Sequence, residues 1–128
     1  MDTQIPIEKY LMFTSPNSFK ERILSVSSKI GLSQKTVGRI INKAEEISEV
    51  PLEEMAVSHF GPKSRIKDAL ILHDIIDKEI TIDQSRTVAE AWDACVLEEI
   101  TGTGHFKILK SPEVLDRALQ FISGPSSL

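Results

Sequence analysis

The fold is decided by the stretch Ala69-Leu70-Ile71-Leu72-His73, which runs directly into the acidic loop 74–79. A short apolar run that ends at polar loop residues predicts a strand buried on both faces. A second run of this kind, Cys95–Ile100, follows a helical pattern over 85–92 and precedes a last helix that begins at Ser111 or Pro112. Strands and helices that alternate in this way are expected to form a parallel sheet with right-handed crossovers.

The first half of the chain adds one strand and a group of helices. The apolar residues of Ile7–Thr14 predict another strand buried on both faces, which ends before Pro16. Apolar residues three and four positions apart predict a helix over 18–30, a second helix that Ser33 caps, and a short third helix over 52–57. We therefore predict an α/β fold with about three parallel strands and flanking helices. Its expected parts are a core strand in 1–16, a helical insertion in 17–60 and a C-terminal core segment in 61–128.

Composition excludes several classes of protein. The chain has 128 residues, of which 41% are hydrophobic, and its net charge is −4. A mildly acidic chain is a poor general binder of polyanions. The single cysteine, Cys95, cannot form an internal disulfide, which fits a reducing compartment. The N-terminus lacks a secretory signal, and no apolar run approaches the roughly 20 residues of a membrane helix. We expect a cytoplasmic protein without membrane association, metal or organic cofactor.

Two predicted loops hold residues that are suited to acid–base chemistry. Asp77 lies in the loop after the 69–73 strand, and His105 lies in the loop after the 95–100 strand. The carboxyl ends of parallel strands meet at one edge of the sheet, so these loops are expected to be neighbours. A carboxylate beside an imidazole fixes the tautomer of the ring and stabilises its cation, as a general base requires.

The same two loops resemble a known family. Residues 73–81 resemble the H-G-x-x-D-x-x-V-P segment of α/β-hydrolases, and residues 101–106 resemble their G-x-G-H-F segment. The similarity runs from about Ile66 to Ile122 and extends back to Ile7. It implies that Asp77 is the acid and His105 the base of a catalytic triad, in the chain order of the family. It also implies that the helices of 18–57 are a cap, and that the substrate is a small ester or related acyl compound.

The sequence departs from the family pattern at three points. Asp74 stands where the family has glycine, which could alter the turn or introduce a competing carboxylate, and Thr81 stands where it often has proline. The nucleophile motif G-x-S-x-G does not occur in the chain. Ser15 follows a strand and precedes a helix, but no glycines flank it to permit the strained turn. The resemblance therefore implies the C-terminal half of a hydrolase, inactive alone: a truncated product, a degenerate hydrolase or half of a two-chain enzyme.

Two other functions stay open. The apolar strand Ile7–Thr14 expects a neighbour on each edge, so a non-catalytic fragment would associate with itself or with a partner chain. Residues 18–44 also resemble a helix-turn-helix, and 17–43 carry six cations against one acid, although the net charge does not favour nucleic-acid binding. Of the remaining residues of interest, we interpret His73, Trp92 and Cys95 as packing residues of the core.

Overall fold

The structure is a computed structural model that describes residues 7–125. The first six residues of the predicted 1–16 segment and the last three residues of the chain therefore lie outside it. The described residues form three strands and five helices, in mixed α/β order as predicted. In chain order these are β1 (Lys9–Phe13), α1 (Phe19–Lys29), α2 (Gln34–Ser48), α3 (Val57–Phe60), β2 (Asp68–Asp74), α4 (Ile82–Ala91), β3 (Cys95–Ile100) and α5 (Pro112–Ser123).

The three strands make one open sheet in the order β1–β2–β3, and both pairings are parallel. Leu70 of β2 lies between Leu11 of β1 and Val96 of β3 in the register. Because β2 has a neighbour on each edge, its backbone groups are paired on both sides. The parallel sheet that the alternation of strands and helices predicted is confirmed.

Alternate residues of β2 enter two separate hydrophobic clusters. Ala69 and Ile71 pack on one face of the sheet with Val88 and Trp92, while Leu70 and Leu72 pack on the other face with residues of α5. Successive strand residues point to opposite faces, so helices on both faces bury the whole strand. The prediction of a buried strand at 69–73 is confirmed, as is the assignment of Trp92 and Cys95 to the core.

The prediction that Ile7–Thr14 is buried on both faces is wrong. The strand is only five residues long, Met12 is its one buried residue, and Tyr10 is 37% exposed. The physical reason is position: β1 is an edge strand that pairs with β2 alone among the described residues. An apolar pattern shows that a strand suits a buried place, but it does not supply the neighbour that would bury it.

Serine side chains cap the start of three helices, and the predicted cap at Ser33 is confirmed. Ser18, Ser33 and Ser111 accept hydrogen bonds from the backbone N–H groups of the first turns of α1, α2 and α5. Two boundaries differ from the prediction. The helix expected over 52–57 is a 3₁₀ turn over Leu52–Met55 followed by α3, because Ala56 between them is extended. The helix expected over 85–92 begins earlier, at Ile82.

Candidate active site

The structure brings Asp77 and His105 into direct contact at one edge of the sheet. His105 Nδ1 lies 2.9 Å from Asp77 Oδ2, with the carboxylate fully buried and the imidazole 27% exposed. An ionised carboxylate only accepts hydrogen bonds, which assigns the proton to Nδ1. Nε2 of His105 forms no hydrogen bond with any of residues 7–125. The ring therefore has the tautomer and the free nitrogen that a general base needs.

The side chain of Asp77 is held by backbone N–H groups of the turn that follows it. Its Oδ1 accepts hydrogen bonds from the N–H groups of Glu79 at 2.8 Å and Ile80 at 2.9 Å. Burial alone would raise the pKa of Asp77, but the Ile80 N–H, His105 and the Glu79 N–H together hold it below its ordinary value. The carboxylate that faces His105 is therefore charged at neutral pH.

A second buried carboxylate, Asp74, joins the two loops. Its Oδ2 accepts hydrogen bonds from the N–H groups of Thr103 at 2.7 Å and Gly104 at 2.9 Å, and its Oδ1 accepts one from Ile76 N–H at 2.9 Å. Burial opposes its ionisation, but these donors outweigh burial and lower the pKa of Asp74. Asp74 thus acts as a tie to the His105 loop, and it makes no hydrogen bond to His105 itself. The sequence placed Asp74 in the acidic loop and indicated a competing carboxylate, but it did not predict this tie.

The glycine loop is shaped for that tie. Gly102 and Gly104 have φ values of 88° and 63°, which a residue with a Cβ adopts only with strain. This conformation presents two successive N–H groups, those of residues 103 and 104, to one oxygen of Asp74. His105 follows at once, and its ring meets Phe106 edge-on with 4.9 Å between ring centroids.

Thr14 is a site residue that sequence reasoning missed. It follows β1, is buried, and has a φ of 66°, which is rare for a β-branched residue. Its hydroxyl lies 3.4 Å from Asp77 Oδ2. Backbone strain of this kind often accompanies functional sites and depends on the surrounding structure to hold it. No signal in the sequence marks it, because a strained φ is not a property of residue type.

The neighbouring serine takes no direct part in the dyad. Ser15 is buried, and its backbone N–H donates to Ser85 Oγ at 3.2 Å. No hydrogen bond joins Ser15 to His105 among the contacts of residues 7–125. That Ser15 is not the nucleophile stays a prediction.

The remaining histidines and the cysteine lie away from the exposed part of the site. His73 is fully buried and bonded through both ring nitrogens, which agrees with its interpretation as a packing residue. His59 contacts Lys63 near the surface. Burial raises the pKa of the Cys95 thiol to about 11, so it is not a reactive thiolate at neutral pH. Within residues 7–125, no group of three or more His, Cys, Asp or Glu is placed to hold a metal ion.

The basic stretch in 17–43 is partly paired with acids. Lys20 lies 3.4 Å from Glu53, and Lys29 lies 2.9 Å from Glu79 in the Asp77 loop. Lys35 and Arg39 are exposed one turn apart on α2. The charge available to a polyanion is therefore smaller than the sequence count of six cations indicates.

No helix among the described residues is long and apolar enough to cross a membrane.

In comparisons with known proteins, no family model and no curated protein matches the chain. The site holds a buried, anchored carboxylate against an imidazole whose Nε2 has no hydrogen-bond partner among residues 7–125.

Proposed function

We propose that this chain supplies the acid and the histidine of an acyl-hydrolase triad of the α/β-hydrolase type. The observation that carries the proposal is the 2.9 Å contact between Asp77 and His105 at the carboxyl ends of adjacent parallel strands. In open parallel sheets, this edge is where functional groups collect. The nucleophile would be a serine on a polypeptide segment other than these 128 residues, because they contain no G-x-S-x-G motif.

The proposed reaction uses the free nitrogen of His105. Nε2 would remove the proton from the serine hydroxyl as its oxygen attacks the ester carbonyl, and Asp77 would stabilise the resulting imidazolium without taking its proton. Nε2 would then protonate the leaving alcohol as the carbon–oxygen bond breaks. In the second half of the reaction, Nε2 would take a proton from a water molecule as its oxygen attacks the carbonyl of the acyl-serine. Nε2 would then return that proton to the serine oxygen as the ester bond to serine breaks and the acid is released.

The open edge of β1 supports the proposed position of the missing nucleophile. Among residues 7–125, β1 pairs only with β2, so one row of its backbone donors and acceptors lacks a strand partner. A parallel strand added there would place its carboxyl end at the same edge of the sheet as Thr14 and Asp77. The helices of 17–60, which follow β1, would then form the proposed cap.

The alternative is a non-catalytic fragment that needs a partner chain. The same open edge favours it, because unpaired strand edges invite pairing with other chains. It differs from the first proposal in that the dyad would serve only to hold two loops together. Activity measurements separate the two.

The test is hydrolysis of 4-nitrophenyl acetate by two samples. One is the purified 128-residue chain, and the other is the chain co-expressed with the polypeptide that the DNA immediately upstream of Met1 encodes. We expect no turnover from the first sample and turnover from the second. His105→Ala and Asp77→Asn should each lower the second rate by about 10³-fold or more. The matched controls are His59→Ala and Glu90→Gln, which change a histidine and a carboxylate outside the site.

Three outcomes are informative against the proposal. A rate that survives His105→Ala would remove the dyad from the chemistry. Turnover by the isolated chain that His105→Ala abolishes would show that the nucleophile lies within these residues. An upstream sequence without G-x-S-x-G, together with an inactive chain, would favour the non-catalytic fragment.

A further inference from the structure

A buried network of hydrogen bonds lies behind Asp77, and the proposed reaction does not use it. His73 of β2, Ser85 of α4 and Ser15 after β1 are each at most 2% exposed. Nδ1 of His73 lies 2.5 Å from Ser85 Oγ, and its Nε2 lies 2.8 Å from the carbonyl oxygen of Ile80. Ser85 Oγ in turn accepts a hydrogen bond from Ser15 N–H at 3.2 Å.

The partners fix where the protons are. A carbonyl oxygen only accepts, so His73 Nε2 carries a proton and donates it to Ile80. In the Nε2–H tautomer Nδ1 is an acceptor, and the Ser85 hydroxyl donates to it at 2.5 Å rather than to the carbonyl oxygen of Ser15 at 3.5 Å. Ser85 Oγ can accept from Ser15 N–H at the same time. In this arrangement both ring nitrogens of His73, the Ser85 hydroxyl and the Ser15 N–H each have a hydrogen-bond partner.

Two histidines of opposite tautomer therefore flank one carboxylate. His105 donates to Asp77 Oδ2 through Nδ1, whereas His73 Nε2 lies 3.4 Å from the same oxygen but directs its proton to Ile80. Ile80 links the two: its carbonyl accepts from His73, and its N–H donates to Asp77 Oδ1 at 2.9 Å. Ile80, whose N–H binds Oδ1 of Asp77, is thus itself bound by the buried ring of His73.

We propose that His73 is a positioning residue for the dyad, which acts through Ile80 to fix the Asp77 carboxylate and thereby the Nδ1–H tautomer of His105. Ser85 fixes the ring of His73 from the helix side. The catalytic importance of this arrangement rests on the proposed function, but its test needs no activity. A failed esterase experiment and a failed positioning experiment are therefore distinguishable.

The experiment is long-range ¹H–¹⁵N NMR of the full chain labelled at its three histidines. His59→Ala and His105→Ala assign the ring signals. We expect the wild-type chain at neutral pH to show one Nε2–H ring, His73, and one Nδ1–H ring, His105. The same tautomer for both rings would overturn the proton assignment and the proposal with it.

Ser85→Ala then tests the positioning role without removing a ring from the centre of the sheet, as His73→Leu would. We expect the His105 ring to lose its uniform Nδ1–H state, and the amide protons of Glu79 and Ile80 to exchange about tenfold faster or more. Ser85→Thr keeps the hydroxyl, so its His105 tautomer and its amide exchange should match those of the wild-type chain. Thr87→Ala removes a hydroxyl from the same helix that bonds only Asp83, so it is the matched control.

A folded Ser85→Ala chain with an unchanged His105 tautomer and unchanged amide exchange would show that His73 serves packing alone. If Ser85→Ala does not fold, Ser85→Cys is used in its place, because it keeps the size of the side chain and weakens the donor. The expected and contradicting results are the same.

Discussion

The carboxylate of Asp74 accepts a 2.7 Å hydrogen bond from the backbone N–H of Thr103, which joins the last residue of β2 to the loop that presents His105. The two residues lie 29 positions apart in the chain. The acid loop begins directly after Asp74 and the histidine follows Thr103 by two residues. The contact therefore holds together the two loops that carry Asp77 and His105.

Asp74→Asn should weaken this tie. Both oxygens of Asp74 accept from backbone N–H groups, so an asparagine must turn its own NH₂ toward one of those donors. Leaving a buried donor without a partner costs about 1–3 kcal/mol, and we expect the free energy of unfolding to fall by that amount. Urea titration at neutral pH measures it. Glu90→Gln, an exposed charge change, should have almost no effect, and an equal loss in both variants would contradict the role of Asp74.

The free energy of unfolding should decrease as the pH is lowered into the acid range. The pKa values of Asp74 and Asp77 both lie below their ordinary value in the folded chain, so on acidification the unfolded state takes up protons first. Their contribution is complete above pH about 5, where unfolded aspartate is almost fully ionised, and is lost as pH falls through the lower folded values. Urea midpoints between pH 6 and pH 2.5 check this. The pH dependence should be smaller in Asp74→Asn, and an unchanged profile would show that other groups cause it.

Lys9 should stabilise the end of α5 across the molecule. Its Nζ donates to the carbonyl oxygens of Phe121 at 2.5 Å and Gly124 at 2.6 Å, where the last turn of a helix leaves acceptors unsatisfied and carries partial negative charge. Lys9→Met should cost about 1 kcal/mol and speed amide exchange in the last turn of α5. Lys107→Met removes an exposed cation elsewhere and should leave that exchange unchanged. Protection that persists in Lys9→Met would exclude this anchoring role.

The open edge of β1 should make the isolated chain associate. Ile7, two residues before the strand, is 49% exposed, and charges at a strand edge oppose edge-to-edge pairing. We expect light scattering to show a molar mass that rises with concentration for the wild-type chain and stays monomeric for Ile7→Lys. Ile75→Lys places the same charge at a site that is 41% exposed but off the edge, and it should still associate. A wild-type chain that is monomeric at millimolar concentration would count against partner pairing through β1.

Although residues 18–44 resemble a helix-turn-helix, we expect that the chain does not bind DNA. Lys20 and Lys29 are each in an ion pair with a glutamate, and the net charge of the chain is −4. We expect no shift of random-sequence duplex DNA in a gel at low salt. Salt-dependent binding that the double change Lys35→Ala/Arg39→Ala removes would revive DNA binding as a function.

Local patterns predicted most of the secondary structure, and they failed where a neighbour decides the outcome. The bounds of β3 were predicted to the residue, and serine caps placed three helix starts, because both depend on residues close in sequence. The burial of β1 was predicted wrongly, since burial depends on what the rest of the chain brings against the strand. The site divides in the same way: Asp77 and His105 stood out by residue type and loop position, whereas Thr14 and Ser85 did not. Asp74 was noted as a competing carboxylate, but not as the tie between the two loops.

The sequence by itself determined the alternation of strands and helices, and with it the parallel sheet that puts two loops at one edge. It also determined which two side chains in those loops have acid–base chemistry. Only the tertiary structure decided that these side chains meet at 2.9 Å, that Asp74 ties the loops together, and that a fully buried His73 stands behind the acid. The physical reason is that these are hydrogen bonds between residues brought together by the fold, and neither their distances nor the protons they fix are properties of local sequence.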